Sequence, residues 1–403
     1  MNGQKSYILN KIIDKYENSR NDWKQDKSGN RSFPVQGDQD YSQIYPSDLA
    51  AEAKQLQQEG LIRVEWAAYG SDVARIYYFL DQMPEYYRRT GREPKRERWR
   101  RALQNVAAHR QQAQTPWLQE YYEELFSQLE EGKRSADLEK YGEKLFACLD
   151  ALEKLKEPVF IRVFSSRFLG GSKIFEKELM DRVVSIAAAH HPLVDETMEK
   201  YQVLAQLYLE SYTQELAVKG GLRIQLEGRD IDLAQFPYGT VLNTETLKQA
   251  RVPVQQRIRK VITVENKANF VSMPFEEGTF LVFSHGFFSP LEREFLVHVR
   301  QALEEREDGT AAAGNSRIEY FHTGDLDYGG VRIFKHIREH VFPGLQPLHM
   351  GVEDYERYLE YGSDIEESAW KKLRKIREPR LQPLIERMLK ERKTVEQECF
   401  LYR

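Results

Sequence analysis

Three carboxylates in the C-terminal part of this 403-residue chain have the types and spacing of a metal-binding set. Glu265 closes the apolar run KVITVE (260–265), and Asp325 and Asp327 follow the run IEYFHT (318–323) in HTGDLDYGG. Alternate side chains of an extended backbone point the same way, so Asp325 and Asp327 share a side. Gly324, Gly329 and Gly330 beside them, and Gly286 after the run TFLVFS (279–284), permit close approach of backbone to a metal or a phosphate. Three converging carboxylates repel and raise one another's pKa values unless a cation joins them. Mg²⁺ or Mn²⁺ suits such an oxygen-only set. Lys267 and Arg332 are candidate phosphate clamps, and His285 and His322, which flank the strand ends, read as structural histidines.

The elements that must position these groups are strands alternating with helices. The three runs read as buried parallel strands, and LQPLHM (345–350) reads as a fourth. Between them lie the helix-like stretches PLEREFLVHVRQALEERE and VRIFKHIREHVF, which is the rhythm of a parallel α/β sheet. Ligands of such sheets bind at the carboxyl ends of the strands, where the three acids fall.

Upstream, Ile8, Leu9, Ile12 and Ile13 recur at helical spacing, Ser47 is a candidate N-cap, and Gly60 stands where a C′ glycine belongs. LIRVEW and VARIYYFL then read as two strands joined through Tyr69-Gly70-Ser71-Asp72. Helix, helix and a two-stranded wing is the order of a winged helix, a module used for DNA or for protein contacts. The segment YRRTGREPKRERWRR (87–101) carries Arg88, Arg89, Arg92, Lys95, Arg96, Arg98, Arg100 and Arg101 against Glu93 and Glu97, so 8 − 2 gives +6. We expect it to bind phosphates, with Tyr87 and Trp99 available to stack; the alternative is a solvated helix face. Residues 115–218 look mainly helical, interrupted by a strand VFIRVF and a Gly-rich loop SSRFLGGSK, whose Lys173 could face a phosphate at the next helix start. The spacing is not that of a P-loop. His190-His191 reads as a helix terminus.

Composition narrows the classes. There are 59 Lys+Arg against 63 Asp+Glu, a net charge of −4, so a uniformly basic nucleic-acid coat is excluded while local patches are not. No apolar run reaches the roughly 18 residues of a bilayer span, and the start lacks the pattern of a secretory signal. The two cysteines, Cys148 and Cys399, exclude a disulfide framework, and we expect a cytoplasmic protein. The expected organisation is multidomain, α/β and α+β: winged helix 1–82, basic helical arm 83–155, a middle region 156–250, and an α/β domain 255–403 with a mostly parallel sheet and a helical extension.

A Glu after the first strand and a DxD after a later one resemble a Toprim domain. Together with the winged-helix front, the basic middle, FSSRFLGGSKIFEK, ENKANF, GDLDYGG and Glu396-Gln397-Glu398, the chain resembles the JetD family, the nuclease subunits of Wadjet (MksG-type) bacterial defence systems. The resemblance implies a Mg²⁺- or Mn²⁺-dependent endonuclease with Glu265, Asp325 and Asp327 at its centre. It also implies a CAP-like middle region, double-stranded plasmid DNA as substrate, an SMC–kleisin motor complex as partner, and a homodimer. The related A subunit of type IIB topoisomerases cuts through a catalytic tyrosine. Tyr77, Tyr78, Tyr86 and Tyr87 match no such motif here, so hydrolysis by an activated water is expected, with Glu265 as base or as a ligand that orients it. Three alternatives stay open: a topoisomerase-like transesterase, a non-catalytic DNA-binding assembly subunit, and a zinc hydrolase using His336-Ile-Arg-Glu339-His340, which fits H-x-x-E-H.

Overall fold

The computed structural model describes residues 6–19, 22–24, 28–67, 72–305 and 318–401. Of the expected turn 69–72 only Asp72 lies within them, and the last two residues of PLEREFLVHVRQALEERE lie outside. The fold is mixed α/β, in two compact units: residues 1–112 with 122–135, and residues 113–121 with 136–403.

The first unit runs α1 (Tyr7–Asn18), β1 (Asn30–Pro34), α2 (Pro46–Gln58), β2 (Ile62–Trp66), β3 (Val73–Phe79), α3 (Met83–Thr90) and α4 (Lys95–Gln112). The strands form an antiparallel sheet in the order β1-β3-β2. Ile8, Leu9, Ile12 and Ile13 are buried against it, as their spacing requires. The N-cap of α2 is Tyr45 rather than Ser47, because Pro46 takes the first helical position, where its missing N–H costs nothing. Gly60 takes φ 72° just past the helix, as expected.

In the second unit, six strands form one sheet: β4 (Glu215–Gly220), β5 (Thr240–Asn243), β6 (Lys260–Val264), β7 (Thr279–Phe283), β8 (Glu319–Thr323) and β9 (Gln346–Pro347). Their order is β9-β8-β6-β7-β4-β5. Strands β9, β8, β6 and β7 are parallel, and β4 and β5 add antiparallel at one edge. The sheet thus takes in strands upstream of residue 255. Helices α5 (Lys267–Ser272), α6 (Pro290–Glu304) and α7 (Tyr328–His340) follow β6, β7 and β8. The register sets Val264 opposite both Phe283 and Thr323, so the three central strands end level with one another.

One local expectation needs correction. VFIRVF is a strand only at Val159–Phe160; Ile161–Leu169 is a helix whose buried Ile161 and Phe164 follow helical spacing. The Gly-rich stretch is the turn after it, with Gly170 at φ 79°. Ser165 Oγ accepts the Phe175 N–H at 3.1 Å, so a side chain already occupies part of the next helix start where an anion was expected. Lys173 stands exposed on that turn. His191 caps the helix Met180–His190, as expected, and the two cysteines are buried free thiols.

The core of the second unit runs through the sheet, from Leu216 and Val218 through Val261, Phe280 and Val282 to Phe334 and Ile337. Phe280 is fully buried there. Phe280→Ala should cost about 3–5 kcal/mol of stability, read by urea unfolding of the full chain. A loss below about 1 kcal/mol would mean that the central strand is not packed as described.

Candidate metal centre

Level strand ends bring the acids together. Glu265 leaves β6 beside Gly324, and its N–H donates to Thr323 O at 3.0 Å. The Asp325 N–H donates to Glu265 Oε2 at 3.2 Å. Asp327 has extended backbone (φ −144°, ψ −172°) and caps α7, accepting the Gly330 N–H at 2.7 Å. Between the aspartates Leu326 is fully buried and pairs with Val395, its N–H donating to Val395 O at 2.8 Å. The D-L-D stretch therefore alternates as anticipated. Two glycines here are steric necessities. A Cβ on Gly324 would lie 2.2 Å from Glu265 Oε2, and one on Gly330 would lie 2.0 Å from Asp325 O. Gly329 has only ordinary contacts, and Gly286 (φ 94°) is crowded by Gln202 Nε2 at 2.7 Å.

The pairing of Leu326 with Val395 delivers what residue types alone did not assign. It carries Glu396 and Glu398 to the same place, where oxygens of Asp325, Glu396 and Glu398 lie within 4.8 Å of one another. The sequence signal was the alternation in Val395-Glu-Gln-Glu-Cys399, whose odd-numbered residues are buried and whose glutamates are exposed. Five carboxylates thus share one end of the sheet.

Electrostatics mark this cluster as incomplete. Burial, with the charges of Asp325 and Asp327, holds Glu265 well above the usual carboxylate range. Burial, then Asp327, Glu396 and Glu398, push Asp325 up to about 7, against an opposing hydrogen bond from Gln397. Burial also raises Asp327 and Glu396. Among the described residues no Lys or Arg contributes an opposing charge to any of these four groups. An all-oxygen, uncompensated set is what a hard divalent cation fits.

The other candidates fall elsewhere. Lys267 is exposed at the first turn of α5, with its ammonium 5.7 Å from the centre of the Phe283 ring. Arg332 is held by Asp195, its Nε donating to Oδ2 at 2.7 Å, so its free-clamp reading is corrected: it is half of a partly buried ion pair. His285 pairs with buried Glu292 at 3.1 Å. His322 is fully buried, its Nδ1 2.8 Å from Thr263 Oγ1, and burial lowers its pKa to about 3. Both are structural histidines. His336 and His340 do share a helix face, with ring centres 4.6 Å apart, but His336 packs on Phe287, and Glu339 pairs with Lys335 and Arg338. Among the described residues no third His, Cys or carboxylate joins them as a metal-binding group.

In the first unit the +6 sum is answered by acids from outside the segment. Arg88 and Arg89 pair with Glu85, Arg89 also with Glu59, Arg92 with Asp14 and Glu17, and Arg98 with Glu17. Arg100 and Arg101 take Glu97 and Glu93, and Arg96 is exposed. Counting only two acids overlooked partners distant in sequence. Tyr87 is buried and donates to Glu17 at 3.0 Å; Trp99 donates to Leu129 O at 3.2 Å and packs edge-on against Trp23. These two rings build the unit, which corrects the expectation that they stack on nucleotides.

The acid cluster carries a pH signature. A carboxyl whose pKa rises on folding binds extra protons in the native state, so stability falls as pH climbs from its unfolded to its folded value. For Asp325 that window runs from 3.8 to about 7. Metal-free protein should therefore melt several degrees lower at pH 8 than at pH 5.5, and Asp325→Asn should shrink that difference. Equal pH dependence of the two proteins in thermal melts would contradict the cluster.

Comparison with known proteins bears on the same region. Residues 218–403 match the family model described as Wadjet protein JetD, C-terminal. The chain is also 28% identical to Wadjet protein JetD of Bacillus cereus (strain Q1), over 98% of each chain. The match spans the sheet, the five carboxylates and the C-terminal segment that supplies two of them. The chain is thus similar to the JetD C-terminal family over residues 218–403 and to Wadjet protein JetD from end to end.

Proposed function

We propose that this protein is the nuclease component of a Wadjet-type defence system, a Mg²⁺- or Mn²⁺-dependent endonuclease that hydrolyses double-stranded plasmid DNA. The observation that carries this reading is the cluster of Glu265, Asp325, Asp327, Glu396 and Glu398 at the level ends of β6 and β8, where no Lys or Arg among the described residues opposes the charge of the first four. Its similarity to Wadjet protein JetD supplies the biological setting. The sheet is proposed as a Toprim domain and the first unit as a winged helix with a basic arm. An SMC–kleisin motor complex and a second copy of this chain are the proposed partners.

In this mechanism Asp325 and Asp327 would hold the divalent ion, with Glu396 and Glu398 beside it. Such an ion, when bound, would neutralise charge at the phosphate and at the leaving oxygen. Glu265 Oε2 is occupied by the Asp325 N–H, which leaves Oε1 as the proton acceptor for the attacking water. Its raised pKa brings that carboxylate towards the range in which a base works near neutrality. Lys267, exposed one turn from Glu265, is the cation placed to meet a phosphate. Hydrolysis is favoured over tyrosine transesterification because the expected tyrosines are engaged. Tyr78, Tyr86 and Tyr87 are buried, and Tyr77 donates to Glu65 at 2.9 Å.

The arm fits DNA binding through exchange of partners. Arg100 and Arg101 and their partners Glu97 and Glu93 all have exposed side chains, and such exposed pairs contribute about 0–1 kcal/mol each. Phosphates can displace such carboxylates at little cost.

Wild-type protein with Mn²⁺ and its motor partners should nick or linearise circular plasmid, and Glu265→Ala should lower the rate by about 10²–10⁴-fold. Equal rates, or no cleavage by either protein, would refute the proposal. Replacing Arg96, Arg98, Arg100 and Arg101 together with Ala should weaken DNA binding and flatten its salt dependence by about 0.9 log unit per lost phosphate contact. An unchanged slope would assign the arm to another purpose.

A further inference from the structure

Between Glu396 and Glu398 stands Gln397, a residue that is 1% exposed and carries no charge. Each of its four polar groups is engaged, and each by a different residue of the centre. Its backbone N–H donates to Asp325 Oδ1 at 2.7 Å. Its side-chain Nε2 donates to Thr323 Oγ1 at the end of β8, at 2.9 Å. Its Oε1 accepts the Asn266 N–H, next to Glu265, at 3.0 Å. Its carbonyl accepts from Asn269 Nδ2 on α5, also at 3.0 Å. Asn266 is itself the cap of α5, accepting the Ala268 and Asn269 N–H groups, and its own amide reaches Glu398.

The consequence is geometric. The ends of β6 and β8, the D-L-D stretch and the C-terminal segment are separate in sequence and are tied at one amide side chain. An amide meets both Thr323 Oγ1 and the Asn266 N–H without carrying charge. A carboxylate could reach the same two groups only by adding a sixth negative charge to the cluster. The pairing of Leu326 with Val395 fixes the start of the segment and the Asn266 amide reaches Glu398, while Gln397 ties the stretch between them to the strand ends.

We infer that Gln397 is a positioning residue of the metal centre. It locks Glu396 and Glu398 against Asp325 and fixes the Asp325 carboxylate through its backbone N–H. This inference rests on the metal-binding reading above. Groups that orient metal ligands without touching the metal change metal affinity by about 10–100-fold when removed. The role therefore shows in binding as well as in cleavage.

The test is Mn²⁺ titration calorimetry of the full-length protein. Gln397→Met keeps the length and apolar stem and removes both amide groups. It should weaken Mn²⁺ binding about 10–100-fold while the metal-free protein melts within a few degrees of wild type. Binding within twofold of wild type would overturn the inference. If Gln397→Met fails to fold, the pair Thr323→Val and Thr323→Ser decides. The hydroxyl-free valine should weaken Mn²⁺ binding several-fold and serine should restore it, whereas equal affinities would overturn the role. Wild-type protein that binds no Mn²⁺ would instead overturn the metal reading itself, an outcome distinct from a variant that binds normally.

Discussion

Carboxylates brought together with no Lys or Arg among the described residues set against them are the constraint around which the second unit is organised. Glu265, Asp325, Asp327, Glu396 and Glu398 arrive from three stretches of chain at one end of a parallel sheet. Their mutual repulsion and burial would favour spreading them apart. What holds them is a set of neutral donors: the N–H groups of Asp325, Gly330 and Gln397 and the side-chain amide of Asn266. Neutral donors fix position without cancelling charge. A lysine or arginine in their place would have satisfied the cluster and closed it to a cation.

Much of the remaining architecture serves that arrangement. The level ends of β6 and β8 depend on the register of a sheet packed on one face by the large apolar core and on the other by the smaller cluster of Ile262, Val264, Phe270 and Leu281. Gly324 and Gly330 remove the side chains that would block the approach of Glu265 and of the turn at Asp325. Arg332 and Tyr328, on the first turns of α7, are held by Asp195 and Glu196, which tie the Asp327-capped end of that helix to the middle of the chain. Arg332 is thereby a structural cation in a place where sequence alone suggested a phosphate clamp.

How much of this was legible beforehand follows from the range of the interactions. The strands ending at Glu265 and at Asp325 could be read because buried parallel strands are continuous apolar runs, and alternation put both aspartates on one side. The first helix and the β2–β3 strand pair of the first unit were readable in the same local way. Glu396 and Glu398 could not be assigned by position, since their arrival depends on a pairing between Leu326 and Val395, 69 residues apart in the chain. The basic segment misled for the same reason. Glu17, Asp14 and Glu59 neutralise it from sites 30 to 81 residues away, and a local charge sum does not see them. Ser165 in the expected phosphate loop shows the reverse case, a helix start that a nearby hydroxyl had already taken.

The central claim is that the five carboxylates are one cation site. Anomalous diffraction from crystals grown with Mn²⁺ tests it most directly, because it places the ion without reference to activity. The account predicts a peak bonded to oxygens of Asp325 and at least one of Asp327, Glu396 and Glu398, at the roughly 2.0–2.6 Å of hard-cation bonds. A peak at His336 and His340 instead, or no peak at the strand ends with Mn²⁺ in excess, would contradict it.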